Sequence, residues 1–181
     1  MVSSIQEFAS DNMLIFLIGL PGSGKTTLGK QLAKQLHYVF SDLDEAIVKT
    51  QQSTIEEIFL NEGETTFRLY ESQCLKAYDK EDNIIVSTGG GAPCFHQNME
   101  WMNENGLSIF LNPPLTELAK RLKASDNSHR PMLKGKSEND LLSFLETKIK
   151  ERSLFYSQSK ITIEKNNPSV TDIIEKIKSY I

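Results

Sequence analysis

A three-layer α/β/α fold, in which a central parallel sheet of five strands carries helices on both faces, is what this 181-residue sequence predicts. Two observations carry that expectation. Short apolar runs take turns with longer segments whose apolar residues recur every three or four positions, and the apolar runs are continuous, the mark of strands buried on both faces. The first of these runs also ends in a glycine-rich turn that leads straight into an amphipathic segment, in the order strand, loop, helix.

Residues 1–12 are polar and aperiodic and read as a short tail, and residues 13–181 read as one domain. Met13–Gly19 (MLIFLIG) is the first buried strand. Leu28, Leu32 and Leu36 follow at i, i+4 and i+8, the stripe of a helix folding back on that strand. A second strand, Tyr38–Ser41, ends at Asp42 and Asp44, and helical spacing resumes through Ile47 and again through Ile55, Ile58 and Phe59. A helix of about Glu64–Tyr78 presents Phe67, Tyr70, Cys74 and Tyr78 on one side. Asn83–Thr88 is the third strand, closed by Gly89, Gly90 and Gly91, and Leu107–Leu111 is the fourth, stopped by Asn112, Pro113 and Pro114. After a helix over Leu115–Lys123, the stretch from about 124 to 136 is polar, aperiodic and broken by glycine and proline, which predicts a mobile lid loop. Leu141, Leu145 and Ile149 mark a long helix, Lys160–Ile163 the fifth strand, and Ile173, Ile177 and Ile181 a closing helix.

Composition narrows the function. The formal net charge of -4 offers no basic field for a nucleic-acid backbone, so no nucleic-acid partner is expected. No apolar stretch approaches the roughly 20 residues that span a bilayer, and Met13–Leu20 lacks a basic leader, so a soluble, cytoplasmic protein without a membrane partner is expected. Cys74 and Cys94 form no CxxC pair and read as free thiols of a reducing compartment.

Gly19-Leu-Pro-Gly-Ser-Gly-Lys25-Thr26 matches GxxxxGK[ST] without a mismatch and lies between an apolar strand and an amphipathic helix. That context specifies a P-loop holding ATP with Mg²⁺. The backbone N–H groups of Gly22, Ser23, Gly24, Lys25, Thr26 and Thr27 turn toward phosphate at the positive end of a helix. Lys25 reaches the β- and γ-phosphates, and Thr26 gives a hydroxyl to the metal. In parallel sheets ligands bind beyond the carboxyl ends of the strands, where every further motif falls.

Asp42 and Asp44 alternate with Leu43, so a persisting strand places both carboxylates on one face at the ligand end, suited to Mg²⁺ and to an acceptor hydroxyl whose proton must be taken. Capping of the next helix is the competing reading. Arg68 and Glu71, three apart on a helix, suit an anchored anion clamp, and Arg152 in ERSLFY is a second fork; two such forks select a carboxylate, although either alone is also an ordinary solvated charge. Gly89–Gly91 permits close backbone approach to substrate oxygens or is simply a flexible turn. Arg130, in the lid, is placed to bring its charge onto the transferred phosphoryl group.

Taken together these motifs resemble the shikimate kinase family of the nucleoside-monophosphate-kinase-like P-loop group. The resemblance runs from about Met13 to the C-terminus and rests on GLPGSGKT, on DLD at Asp42–Asp44, on FRLYE at Phe67–Glu71, on TGGG at Thr88–Gly91, on RPML at Arg130–Leu133 and on ER…Y at Glu151–Tyr156. It implies transfer of the ATP γ-phosphoryl group to the 3-hydroxyl of shikimate, by a monomer. It further implies Asp44 as the base that also binds substrate hydroxyls, Asp42 and Thr26 at the magnesium, and Arg68, Arg152 and the Gly89, Gly90 and Gly91 backbone around the substrate carboxylate. Lys25 and Arg130 are the implied catalytic cations, and Arg121 the implied neighbour of adenine. The chain departs from the family pattern at Ala92-Pro93-Cys94 and matches it loosely at Lys165–Pro168. Gluconate kinase shares the P-loop and the acidic second strand without the carboxylate clamp, and a non-catalytic ATP-dependent switch needs no acceptor pocket.

Overall fold

Residues 13–79, 82–125, 133 and 135–181 are described by a computed structural model; the tail of residues 1–12 and most of the lid segment, Arg130 included, lie outside the described residues. Strand β1 (Leu14–Ile18) leads through the glycine loop into α1 (Lys25–Leu36), and β2 (Val39–Asp42) leads into α2 (Leu43–Gln51), α3 (Ile55–Asn61) and α4 (Gly63–Lys76). Then come β3 (Ile84–Ser87), a 3₁₀ turn (Ala92–Cys94), α5 (Asn98–Asn105), β4 (Leu107–Leu111), α6 (Leu115–Ala124), α7 (Glu138–Tyr156), β5 (Ile161–Ile163) and α8 (Val170–Tyr180).

The five strands form one sheet in the order β2-β3-β1-β4-β5, and every pairing is parallel. All five residues of β1 are buried, because alternate side chains feed two separate cores. Ile15 and Leu17 pack with Leu28, Leu32 and Leu36 of α1 and with Ile173, Ile174 and Ile177 of α8 on one face. Leu14, Phe16 and Ile18 pack on the other face with residues of α2 to α7, among them Ile47, Phe67, Met102, Leu118, Leu145 and Tyr156. These are the three expected layers. Because β1 is central, the loop that follows it opens between the ends of β3 and β4.

Two local features differ from the sequence expectation. The second strand does not persist through Asp44: it ends at Asp42, which caps α2 by accepting the Asp44 N–H on Oδ1 at 3.1 Å, so Asp44 lies in the first helical turn. Helix α5 carries only Met99 and Met102 as buried apolar residues in the polar sequence NMEWMNEN, too thin a stripe for periodicity to reveal. Among the described residues no helix is long and apolar enough to cross a membrane, and Cys74 and Cys94 are free thiols.

Leu32 is wholly buried where α1 crosses the sheet. Leu32→Ala is expected to lower the unfolding free energy by about 2–5 kcal/mol through a cavity between α1 and β1, read by urea denaturation; a loss under about 1 kcal/mol contradicts that packing.

Candidate active site

The loop after β1 is shaped for an anion by its backbone. Gly24 takes the N-cap of α1 at φ 95°, a left-handed conformation that strains any other residue, and no side chain caps the helix. The first-turn N–H groups and the positive end of the helix dipole therefore face the loop's concavity. Lys25 lies across the same loop, its Nζ donating to the carbonyls of Gly19 at 3.0 Å and Leu20 at 3.1 Å.

Beside the loop, three oxygen donors meet. The Thr26 hydroxyl donates to Asp42 Oδ2 at 3.0 Å and lies 3.4 Å from Ser87 Oγ. Register explains the meeting, since Asp42 at the end of β2 is aligned with Ser87 at the end of β3. The Asp42 carboxylate thus has one oxygen on the helix cap and the other toward the P-loop.

On the side of Asp44, the Gly89–Gly91 backbone forms a floor that four charged side chains approach. A methyl group added at Gly89 would lie 2.7 Å from Glu71 Oε1 and 3.3 Å from Asp44 Oδ1. At Gly90 it would lie 2.7 Å from Arg152 Nη1, and at Gly91 2.7 Å from Arg68 Nη2. Both guanidiniums therefore close on adjacent residues, about 3.8 Å apart along the chain. The Tyr156 hydroxyl donates to the Gly90 carbonyl at 2.5 Å, which ties helix α7 to the floor, and it also hydrogen-bonds Arg152 one turn earlier on the same helix. Burial pushes this phenol up to about 12, which keeps it a donor at any physiological pH.

Glu71 governs Arg68. Its Oε2 accepts from Arg68 Nη1 at 2.8 Å with 0% exposure of the carboxylate side chain, whereas Glu64, which takes Nη2 at 3.1 Å, is 60% exposed. Solvent leaves the outer pair worth about 0–1 kcal/mol, while removing one partner of a buried pair costs about 3–5 kcal/mol. Burial raises Glu71 from 4.5 to about 7, Arg68 opposing and Asp44 adding to the rise. Its Oε1 is buried with no hydrogen-bond partner among the described residues.

At the far side of the P-loop, Arg121 is held by Glu117 at 3.1 Å and donates to the Gly22 carbonyl at 3.4 Å, to Asn167 Oδ1 at 2.7 Å and to the Asn166 carbonyl. A cleft of about 560 Å³ joins these regions; its lining runs from Arg121, Asn167 and Pro168 along the P-loop to Asp42, Asp44 and Gly89–Gly90. This arrangement can hold a polyphosphate at the sheet's centre and a small anion beside it.

The family model described as shikimate kinase matches residues 21–181. The chain belongs to the shikimate kinase family. A shikimate kinase of Parabacteroides distasonis is 41% identical over 150 residues, 83% of this chain and 86% of the relative. The crystal structure of shikimate kinase from Bacteroides thetaiotaomicron superposes with a TM-score of 0.84 at 36% identity, covering 92% of this chain and 97% of the other. Shikimate kinase from Acinetobacter baumannii, solved in complex with shikimate, gives 0.82 at 30% identity over 97% and 95% of the two chains. As a member of this family the chain is an enzyme, a kinase that uses ATP.

Of the residues singled out from the sequence, the structure gathers Gly22 to Thr27, Asp42, Asp44, Gly89, Gly90 and Arg121 around one cleft, with Arg68, Gly91 and Arg152 adjoining it. Arg130 lies outside the described residues. Sequence reading missed Ser87, which only strand register brings to Thr26, the bond from the Tyr156 hydroxyl to the Gly90 carbonyl, and the Asn166–Asn167 partners of Arg121. The ER…Y spacing contained the tyrosine's signal.

Glu71 ties this site to pH. A carboxyl that titrates near 7 when folded and near 4.5 when unfolded holds its proton in the folded state across that interval, so its stabilising contribution is full below 4.5 and is lost as pH rises through 7. Across that interval the wild type should lose roughly 3 kcal/mol relative to Glu71→Gln, a neutral mimic, in denaturation at pH 5 and pH 8. Equal pH dependence of the two proteins, or the opposite sign, contradicts the assignment.

Proposed function

We propose that this enzyme phosphorylates shikimate, moving the γ-phosphoryl group of ATP to the 3-hydroxyl, and that the floor of Gly89–Gly91 with its two guanidiniums and two carboxylates is the acceptor site. The convergence of Arg68 and Arg152 on adjacent glycines carries this reading, because two forks meeting over bare backbone suit one planar carboxylate. Shikimate bound to the related Acinetobacter enzyme supports the same substrate.

The roles follow from position. Lys25 and the N–H groups of Gly22 to Thr27 hold the β- and γ-phosphates, and Lys25 offsets charge that gathers on the transferred group. Thr26 and Asp42 offer hard oxygen donors, joined by Ser87, and this set fits Mg²⁺, which keeps several waters and takes one or two carboxylates. Bound there, Mg²⁺ supplies positive charge to the phosphate oxygens. Asp44, beside Gly89, orients the acceptor hydroxyl and accepts its proton; carboxylates are weak bases at neutral pH, so positioning contributes more than basicity. Arg68, Arg152 and the triplet's backbone fix the carboxylate, Arg121 with Asn167 lies beside the base of the nucleotide, and Arg130 brings a further cation from the lid. The enzyme acts as a cytoplasmic monomer without nucleic-acid or membrane partners.

ADP release with shikimate and with gluconate should differ sharply, shikimate alone supporting turnover. Asp44→Asn should lose roughly 10²- to 10⁴-fold in kcat while nucleotide affinity stays within about twofold. Normal turnover by Asp44→Asn, or equal use of gluconate, refutes the reading.

A further inference from the structure

The substrate clamp is roofed by an aromatic residue that its chemistry does not require. The Arg68 guanidinium carbon lies 5.0 Å from the ring centroid of Phe67, its neighbour on α4, and 4.6 Å from that of Phe95, which is reached across the glycine triplet. Both distances are within the roughly 6 Å at which a ring face attracts a cation. Glu71 and Glu64 together accept from Nη1, Nε and Nη2, while Nη2 and Nη1 would lie 2.7 and 2.8 Å from a methyl group added at Gly91.

Phe95 is built into this position. The turn Ala92–Cys94 winds on the triplet, Ala92 N–H donating to the Gly89 carbonyl at 3.1 Å and Cys94 N–H to the Gly91 carbonyl at 2.9 Å, with Pro93 buried at its centre. The fully buried Asn98 then ties the segment down: its amide donates to the Ala92 carbonyl at 2.9 Å, and its carbonyl oxygen accepts from Ser72 of α4 at 2.8 Å. The helix that carries Arg68 thereby also anchors the segment that carries Phe95. Yet Phe95 itself stays 38% exposed, so core burial does not account for its placement.

We propose that Phe95 is a positioning residue for substrate specificity: with its ring against Arg68, it holds the guanidinium plane and shields it from water, so that the Nη1–Nη2 edge meets the substrate carboxylate ready oriented. This inference rests on Arg68 gripping that carboxylate, and it gives the 3₁₀ turn Ala92–Cys94 a purpose. Phe95 touches no reacting atom, so its effect falls on acceptor binding and leaves the phosphoryl-transfer step alone.

The test is steady-state kinetics of Phe95→Ala, Phe95→Leu and Phe95→Tyr, with wild-type turnover of shikimate as the control for the function itself. Phe95→Ala should raise the KM for shikimate roughly three- to thirtyfold, with kcat and the KM for ATP within about twofold. Tyrosine should restore the wild-type KM, and leucine, which fills the volume without a ring face, should not. With the carboxamide of shikimate as acceptor, wild type and Phe95→Ala should perform alike. If wild type uses shikimate and Phe95→Ala leaves its KM unchanged, if leucine rescues as well as tyrosine, or if the carboxamide shows the same penalty, the role assigned to Phe95 is wrong while the kinase assignment stands.

Discussion

The cluster of charges beside the P-loop depends on a stretch of backbone without side chains. Three consecutive residues after β3 lack a Cβ, and at each a methyl group would come within 2.7 Å of a charged atom. Real Cβ contacts are longer than that, so a side chain at 89, 90 or 91 would push the tip of Glu71, Arg152 or Arg68 away from the floor. The floor also carries a costly group: Glu71 is buried, has one oxygen without a hydrogen-bond partner among the described residues and is raised to about 7, whereas a well-packed apolar replacement of a buried ion pair is often as stable or more so. Such a group persists where it holds something else in place, and here it holds Arg68.

The nucleotide side answers to a different constraint. The P-loop needs no side chain at its turn, only positive φ at its glycines and a helix beginning at Lys25, and it lies at the sheet's centre because β1 does. Strand register then sets the distance between the two halves. Asp42 and Ser87, paired across β2 and β3, stand one residue from Leu43 and Thr88, which lead on to Asp44 and the triplet. The P-loop and the glycine floor are thus fixed by the same few rungs of one parallel ladder.

Much of this was legible in the sequence where the signal is local. The run LIFLI, the GxxxxGK[ST] match and the leucine stripe of α1 each state their conformation within a few residues, and the doubly covered faces of β1 follow from its unbroken apolar character. The Arg68–Glu71 spacing likewise gave the ion pair. What stayed hidden depends on partners far along the chain. The strand order, the reach of Asn98 to Ser72 and Ala92, and the Asn166–Asn167 grip on Arg121 join residues that no local pattern connects. Asp42 and Asp44 show an intermediate case: Asp42 caps the next helix through the Asp44 N–H, as the capping reading had it, while the strand that would have set both carboxylates on one face ends at Asp42, whose second oxygen reaches Thr26.

A crystal structure with shikimate and ADP bound would show directly whether the two guanidiniums share one carboxylate. The substrate carboxylate should lie over Gly90 and Gly91, within hydrogen-bond distance of both Arg68 and Arg152, with the ring hydroxyls turned toward Asp44 and the nucleotide's terminal phosphate. A shikimate whose carboxylate points away from either arginine, or whose hydroxyls face away from the P-loop, would contradict it.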